Sequence, residues 1–173
     1  VKAFALNQTG VMTRSPCVTG TWTVLKLLIR FRFPQVRQIS IATLADWLKQ
    51  SDLTSLVLLD TRTEPEFAVS HLLGAHRIEP DTTDFSSLAL PPDTPIVAYC
   101  SVGYRSAALS DRLQAAGFNQ VMNLEGSIFA WANVGYPVYQ GETVVQQVHP
   151  CNAVWGRLLR RELHAYAPET KEE

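Results

Sequence analysis

The chain has 173 residues, 46% of them hydrophobic and 18% charged, with 15 Lys and Arg against 16 Asp and Glu, which suits one domain with a sizeable core. A net charge of -1 gives no basic field for nucleic acid, and the composition excludes a disordered or collagen-like chain. The long uncharged stretch that includes Gly126 to Gln140 is broken by Asn133, Gly135 and Pro137 and does not read as a membrane span.

Charge is unevenly placed. Lys2, Arg14, Lys26, Arg30, Arg32 and Arg37 are the only charged residues before Asp46, so the first 45 residues carry +6. An acid-free, Ser/Thr-rich start is what a plastid or mitochondrial transit peptide looks like, and an upstream extension with no fold of its own reads the same way. Residues 1–21 are therefore expected to be a disordered or targeting extension. Three widely spaced cysteines, Cys17, Cys100 and Cys151, fit neither a disulfide framework nor paired zinc ligands. No metal site is expected, and a reducing compartment such as the cytoplasm is the default setting.

Between Trp22 and Phe33, the apolar residues Trp22, Leu25, Leu28, Ile29 and Phe33 recur at helical spacing, with Lys26 and Arg30 four apart; Pro34 stops the run. This amphipathic helix, assigned to residues 22–37, has two readings: a cover for the core or a contact with an anionic membrane surface. From Ile39 onward short β-branched runs alternate with helical stretches, the pattern of a parallel α/β domain. Ser40 is a candidate N-cap for a helix through Leu44, Trp47 and Leu48. Leu56 to Leu59 reads as a doubly buried strand, Glu64 to Phe67 as a short helix, and Ala75 to Ile78 as a brief strand. Pro91, Pro92 and Pro95 mark a loop before a second buried strand, Ile96 to Tyr99. A helix from Ser106 to Ala116 stops at Gly117, and Val121 to Leu124 adds a strand, Ser127 to Asn133 a helix and Tyr136 to Val138 a last extended piece. The stripe Trp155, Leu158, Leu159, Leu163 and Tyr166 predicts a C-terminal helix packed beside the first one, ending in a solvated acidic tail.

The chemistry concentrates in Cys100-Ser101-Val102-Gly103-Tyr104-Arg105-Ser106, between a buried strand and a helix N-terminus, where α/β sheets place their ligands. Gly103 lets the backbone adopt a positive φ, so that successive N–H groups point inward as an anion-binding nest, reinforced by the helix N-terminus. A thiolate is the nucleophilic form of cysteine, and a helix N-terminus with a nearby Arg lowers its pKa. A buried, inert strand-end cysteine is the competing reading, and Arg105 tips the balance against it.

That loop, together with Asp60-Thr61-Arg62-Thr63-Glu64-Pro65-Glu66-Phe67, His71-Leu72-Leu73-Gly74-Ala75, Asn123-Leu124-Glu125-Gly126-Ser127-Ile128-Phe129-Ala130-Trp131 and Gly135-Tyr136-Pro137-Val138, resembles the rhodanese-like sulfurtransferase family over about residues 38 to 140. The resemblance implies a rhodanese domain at 38–140, a parallel sheet flanked by helices, with added N- and C-terminal helices, the latter in a 141–173 extension and tail. It also implies a persulfide intermediate on Cys100, with Cys100 and Arg105 catalytic and Ser101, Val102, Gly103, Tyr104, Arg105 and Ser106 binding the substrate. The expected partners are a small sulfur donor, thiosulfate or a mercapto acid, and an acceptor thiol or sulfur-accepting protein; no cofactor is called for.

Ser70, Leu73 and Ser127 depart from the family pattern at positions usually Gly, Pro and Gly, and none of the three is expected to touch the cysteine loop. Asp60, Arg62 and His71 are expected to tie loops together rather than to catalyse, since persulfide transfer from a thiolate needs no base. Trp47, Trp131 and Trp155 read as core or covering residues, and Cys151 as an unreactive thiol, with a resolving role the alternative. Two other classes stay open. One is an oxyanion hydrolase or reductase, although phosphatases of related fold space Cys and Arg one residue further apart than Cys100 and Arg105. The other is a low-turnover rhodanese-fold sensor or protein-docking module.

Overall fold

The structure, a computed structural model, describes residues 16–50 and 56–168. Its centre is a five-stranded, all-parallel sheet formed by β1 (Arg37–Ile39), β2 (Val57–Asp60), β3 (His76–Arg77), β4 (Ile96–Tyr99) and β5 (Val121–Leu124), in the order β1-β5-β4-β2-β3. Parallel neighbours require crossovers, which α2 (Ile41–Lys49), α3 (Glu64–Val69) and α4 (Tyr104–Ala115) help to supply. A further helix, α5 (Ser127–Asn133), follows β5. Register pairs Ala98 of β4 with Leu59 of β2 and with Asn123 of β5, so β4 lies at the centre and its carboxyl end is flanked on both sides.

Alternation along the strands splits the core into two layers. Ile96 and Ala98 of β4, with Leu59 and Val121, pack with Leu109 and Leu113 of α4 and with Phe85. Val97 and Tyr99, with Leu58, Met122 and Leu124, face the opposite way onto Leu44 of α2, Ile128 and Phe129 of α5, and the first helix, α1 (Pro16–Arg32). Both faces of β4 are fully buried, which is why its sequence is uniformly apolar.

Local chemistry explains the element ends. Ser40 Oγ accepts the Thr43 N–H at 3.0 Å and caps α2. Pro65 stands in the first turn of α3, and Glu66 reaches back to the Thr63 N–H at 2.9 Å. Among the described residues, β1, a strand of three residues, the 3-10 turn Ser86–Leu88 and the hairpin of β6 (Val138–Gln140) with β7 (Thr143–Val145) escaped the sequence reading.

Two expectations are corrected. First, α1 begins at Pro16, so residues 16–21 belong to a helix rather than to an extension, and the helix ends at Arg32; the remainder of the expected extension lies outside the described residues. Its buried face is Leu25 and Ile29, continued by Phe33 just past its end, whereas Leu28 is exposed. Second, among the described residues no continuous C-terminal helix forms: Trp155–Leu158 and Arg161–Leu163 are separate 3-10 turns. Asn133 of α5 donates to the Leu158 carbonyl at 2.7 Å and accepts the Arg160 N–H at 2.9 Å, taking the groups that helical bonds would use. The apolar side chains still fill the core, with Leu158, Leu159 and Leu163 buried. The expected acidic tail lies outside the described residues from residue 169 on.

Candidate active site

Cys100 is the first residue beyond β4 and is 1% exposed. The chain then turns through Ser101, Val102 and Gly103 into α4, which starts at Tyr104 rather than at the expected Ser106. Gly103 caps that helix with φ +110°, a conformation costly for any side chain. Its N–H therefore turns inward and donates to Cys100 Sγ at 3.1 Å. Burial pushes the Cys100 thiol up. The charge of Arg105 and the N–H groups of Ser106 and Gly103 outweigh that penalty, so the thiol ends below its ordinary range. The Ser106 hydroxyl also draws it down, and this hydroxyl is buried without a hydrogen-bond partner of ordinary length.

The loop is clamped from α5. Gly126 and Ser127 both take positive φ, +79° and +51°, which swings the chain from β5 into α5. That turn aims Ser127 Oγ at the loop, where it accepts the Cys100 N–H at 3.1 Å while donating to the Leu124 carbonyl at 3.1 Å. The Ile128 and Phe129 N–H groups then bind the carbonyls of Cys100 and Ser101. Ser127 thus touches the cysteine itself, contrary to the expectation from its departure at a usual Gly. A glycine would suit the dihedral angle but supply no acceptor. Below the loop, Asn123 Nδ2 donates to the Gly103 carbonyl at 3.1 Å and to Gln38 Oε1 at 2.8 Å.

Arg105 does not stand free over the sulfur. Its guanidinium makes a bidentate pair with Glu66, at 2.9 and 3.1 Å, and donates to Ser101 Oγ at 3.0 Å. Glu66 also accepts from the Ser101 hydroxyl at 3.0 Å and from the Thr63 hydroxyl at 2.8 Å. Burial alone would raise the Glu66 carboxyl, but the hydrogen bonds of Arg105 and Thr63 hold it down at about 2. Glu66 is the member of the site that the sequence reading missed. The available signal was its place at the third position of α3 after Thr63, a capping-box carboxylate beside a buried arginine.

The remaining predicted residues divide cleanly. Asp60 and Arg62 form a fully buried pair at 2.7 Å, and Arg62 also donates to the carbonyls of Glu66 and Ser70, tying α3 to the end of β2. Nδ1 of His71 bonds the Phe67 carbonyl and its ring stacks on Phe67 at 4.1 Å, a structural assignment in both cases. Ser70, extended at φ -170°, ties the C-terminal segment down through the Gln147 carbonyl at 2.7 Å. Leu73 is exposed. Trp131 is buried and donates to the Pro137 carbonyl, while Trp47 and Trp155 pack against the core. Val102 is buried and Tyr104 exposed, its ring edge-on to Phe33, just past the end of α1, at 5.5 Å. The Cys151 thiol is half-buried within reach of Glu66, Ser101 and Arg105; burial and the Glu66 charge push it up, opposite to Cys100. The side chain of Cys17 lies outside the described residues. Among the described residues no helix is long and apolar enough to cross a membrane.

A strand-end thiol held below its ordinary range by loop amides and one arginine stands at the carboxyl edge of the parallel sheet of an α/β protein. A family model described as the Rhodanese-like domain matches residues 40–134, more than half of the chain, and the chain belongs to that family. A relative from Allochromatium vinosum named Sulfurtransferase is 32% identical over 92 residues, covering 53% of this chain and 86% of its own. The Mycobacterium tuberculosis protein named "Probable adenylyltransferase/sulfurtransferase MoeZ" is 34% identical over 96 residues, 54% of this chain. There the chain spans only 24% of the relative. Among solved structures, a rhodanese-related protein from Thermoplasma volcanium matches with a TM-score of 0.52 and 28% identity, over 60% of this chain and 98% of its own.

Proposed function

We propose that the chain is a sulfurtransferase that carries sulfane sulfur as a persulfide on Cys100, from a small donor (thiosulfate or a mercapto acid) to an acceptor thiol or sulfur-accepting protein. The observation that carries this reading is the Cys100 sulfur itself, buried yet drawn toward the thiolate by Arg105 and by the Gly103 and Ser106 amides. The thiolate attacks the outer sulfur of the donor. In thiosulfate the S–S bond breaks and sulfite leaves with the electron pair; in a mercapto acid the C–S bond breaks and the carbon fragment takes that pair and a proton. The persulfide anion stays in the same ring of amides, with the buried Ser106 hydroxyl as a further donor. An acceptor thiolate then takes the outer sulfur and restores the Cys100 thiolate.

The Glu66 pair shapes donor choice. Three of the five N–H groups of Arg105 are spent on Glu66 and Ser101, so its charge is largely balanced and an incoming anion relies mainly on the loop amides. Phosphate-ester hydrolysis is disfavoured on two grounds. Only four residues separate Cys100 from Arg105, a shorter loop than phosphatases of related fold use. A general acid is also wanting, because Glu66, the carboxylate in the site, is held at about 2 and Asp60 is locked to Arg62.

Intact mass spectrometry after incubation with thiosulfate or mercaptopyruvate is expected to show one added sulfur atom, removed by cyanide or a small thiol, absent in Cys100→Ser and retained in Cys151→Ser. Loading that persists in Cys100→Ser, or Cys100-dependent turnover of aryl phosphates with no persulfide, would overturn the reading. Loading without release to any acceptor would leave a sensor in its place.

A further inference from the structure

The first helix is apolar on two opposite sides. Leu25, Ile29 and Phe33 are buried in the core. On the far side Val24, Leu27, Leu28 and Phe31 recur at i, i+3, i+4 and i+7 and form a single outer stripe. They are 58%, 61%, 57% and 87% exposed, which is unusual for four large apolar groups on one ridge. Cations bracket the stripe. Arg32 lies toward one edge; Lys26 and Arg30 lie toward the other, where both reach Glu125 at 2.8 and 2.7 Å and still leave that edge net positive. The first 45 residues contain no acid at all.

We propose that this outer stripe docks α1 flat on an anionic lipid surface. An interfacial helix needs an apolar ridge that enters the acyl boundary and basic side chains at its flanks that extend to the headgroups. Here the face usually left to water is occupied by the domain, so the helix is anchored on one side and offers its ridge on the other. A bilayer accepts a convex ridge without a preformed groove. A second copy of the chain would bring the same flanking cations face to face across a two-fold axis, which disfavours self-association. The inference does not depend on the sulfur chemistry.

The test is co-sedimentation of the full chain with vesicles of phosphatidylcholine alone and of an equal mixture of phosphatidylcholine and phosphatidylglycerol. Partitioning onto the mixed vesicles is expected, weakening as salt is added. Phe31→Glu and Leu28→Glu are each expected to lower it by about tenfold or more, the equivalent of losing one buried apolar side chain and adding a like charge. The melting temperature and Cys100 loading should be unchanged in both variants, because neither side chain touches the core or the loop. Absence of binding to either vesicle, equal binding to both, or binding undiminished in Phe31→Glu would each overturn the proposal. Sedimentation equilibrium showing a dimer that Phe31→Glu dissolves would assign the stripe to a second copy instead.

Discussion

Glu66 is the residue on which the site's electrostatics turn. It gathers Thr63, Ser101 and Arg105 from two separate segments around one carboxylate. Glu66→Gln keeps the shape and removes the charge, so the field of Arg105 at Cys100 is no longer opposed. The expected outcome is a lower Cys100 pKa and loading from thiosulfate that is about three- to tenfold faster below neutrality, read by mass spectrometry across pH. Arg105→Ala should act in the other direction. Loading falls on the order of a hundredfold, and the melting temperature falls with it, because a buried carboxylate loses its cation. The bidentate Glu66 pair is the reason that stability, and not loading alone, is expected to respond. Ser127→Gly should keep the backbone turn but strand the Cys100 N–H, costing about 1–3 kcal/mol of stability by denaturant unfolding. At this scale Cys100, Gly103 and Arg105 were legible because they are neighbours in the chain. Glu66 and Ser127 were not, since their partners lie 39 and 27 residues away.

Among the elements, α1 separates what periodicity supplies from what it cannot. A helix apolar on two sides offers more than one phase, and Leu28 fits the spacing of the buried set as well as Leu25 does. Only packing against β5 and the loop decides. Ile29→Ala should therefore cost about 2–5 kcal/mol, and Leu28→Ala should stay within about 0.5 kcal/mol, as measured by chemical denaturation of the two variants side by side. The reverse ranking would mean that the helix is rotated. The strands were readable because both faces of β4 and β5 are covered, leaving a continuous apolar run in β4 and one broken only by Asn123 in β5. The C-terminal segment misled for a different reason: its leucines keep helical spacing, but the side chain of Asn133, some 25 residues upstream, takes the Leu158 carbonyl.

Taken as a whole molecule, the fold ties its acid stability to the same carboxylate. Glu66 titrates near 4.5 when unfolded and at about 2 in the native state, so the unfolded chain binds more protons between those values. The contribution is complete above about 4.5 and is lost as pH falls through about 2. Melting temperature followed over that window should fall more steeply for the native sequence than for Glu66→Gln. Equal slopes would place the acid sensitivity elsewhere.

The support under Gly103 has a kinetic consequence. Asn123 holds that turn while it is itself held by Gln38, 85 residues earlier, across the β1–β5 pairing, which has the greatest sequence separation in the sheet. Closing so long a loop is entropically the most demanding step of assembling the sheet. Strands β2, β4 and β5 can come together first, and the thiol would then follow a β4 already flanked on both sides, but with an incomplete turn and an ordinary pKa. Low-pKa chemistry at Cys100 becomes a timer for the arrival of β1. In a refolding experiment with pulses of an alkylating reagent at mildly acidic pH, Cys100 labelling should rise in step with the slowest folding phase rather than with the burst of secondary structure.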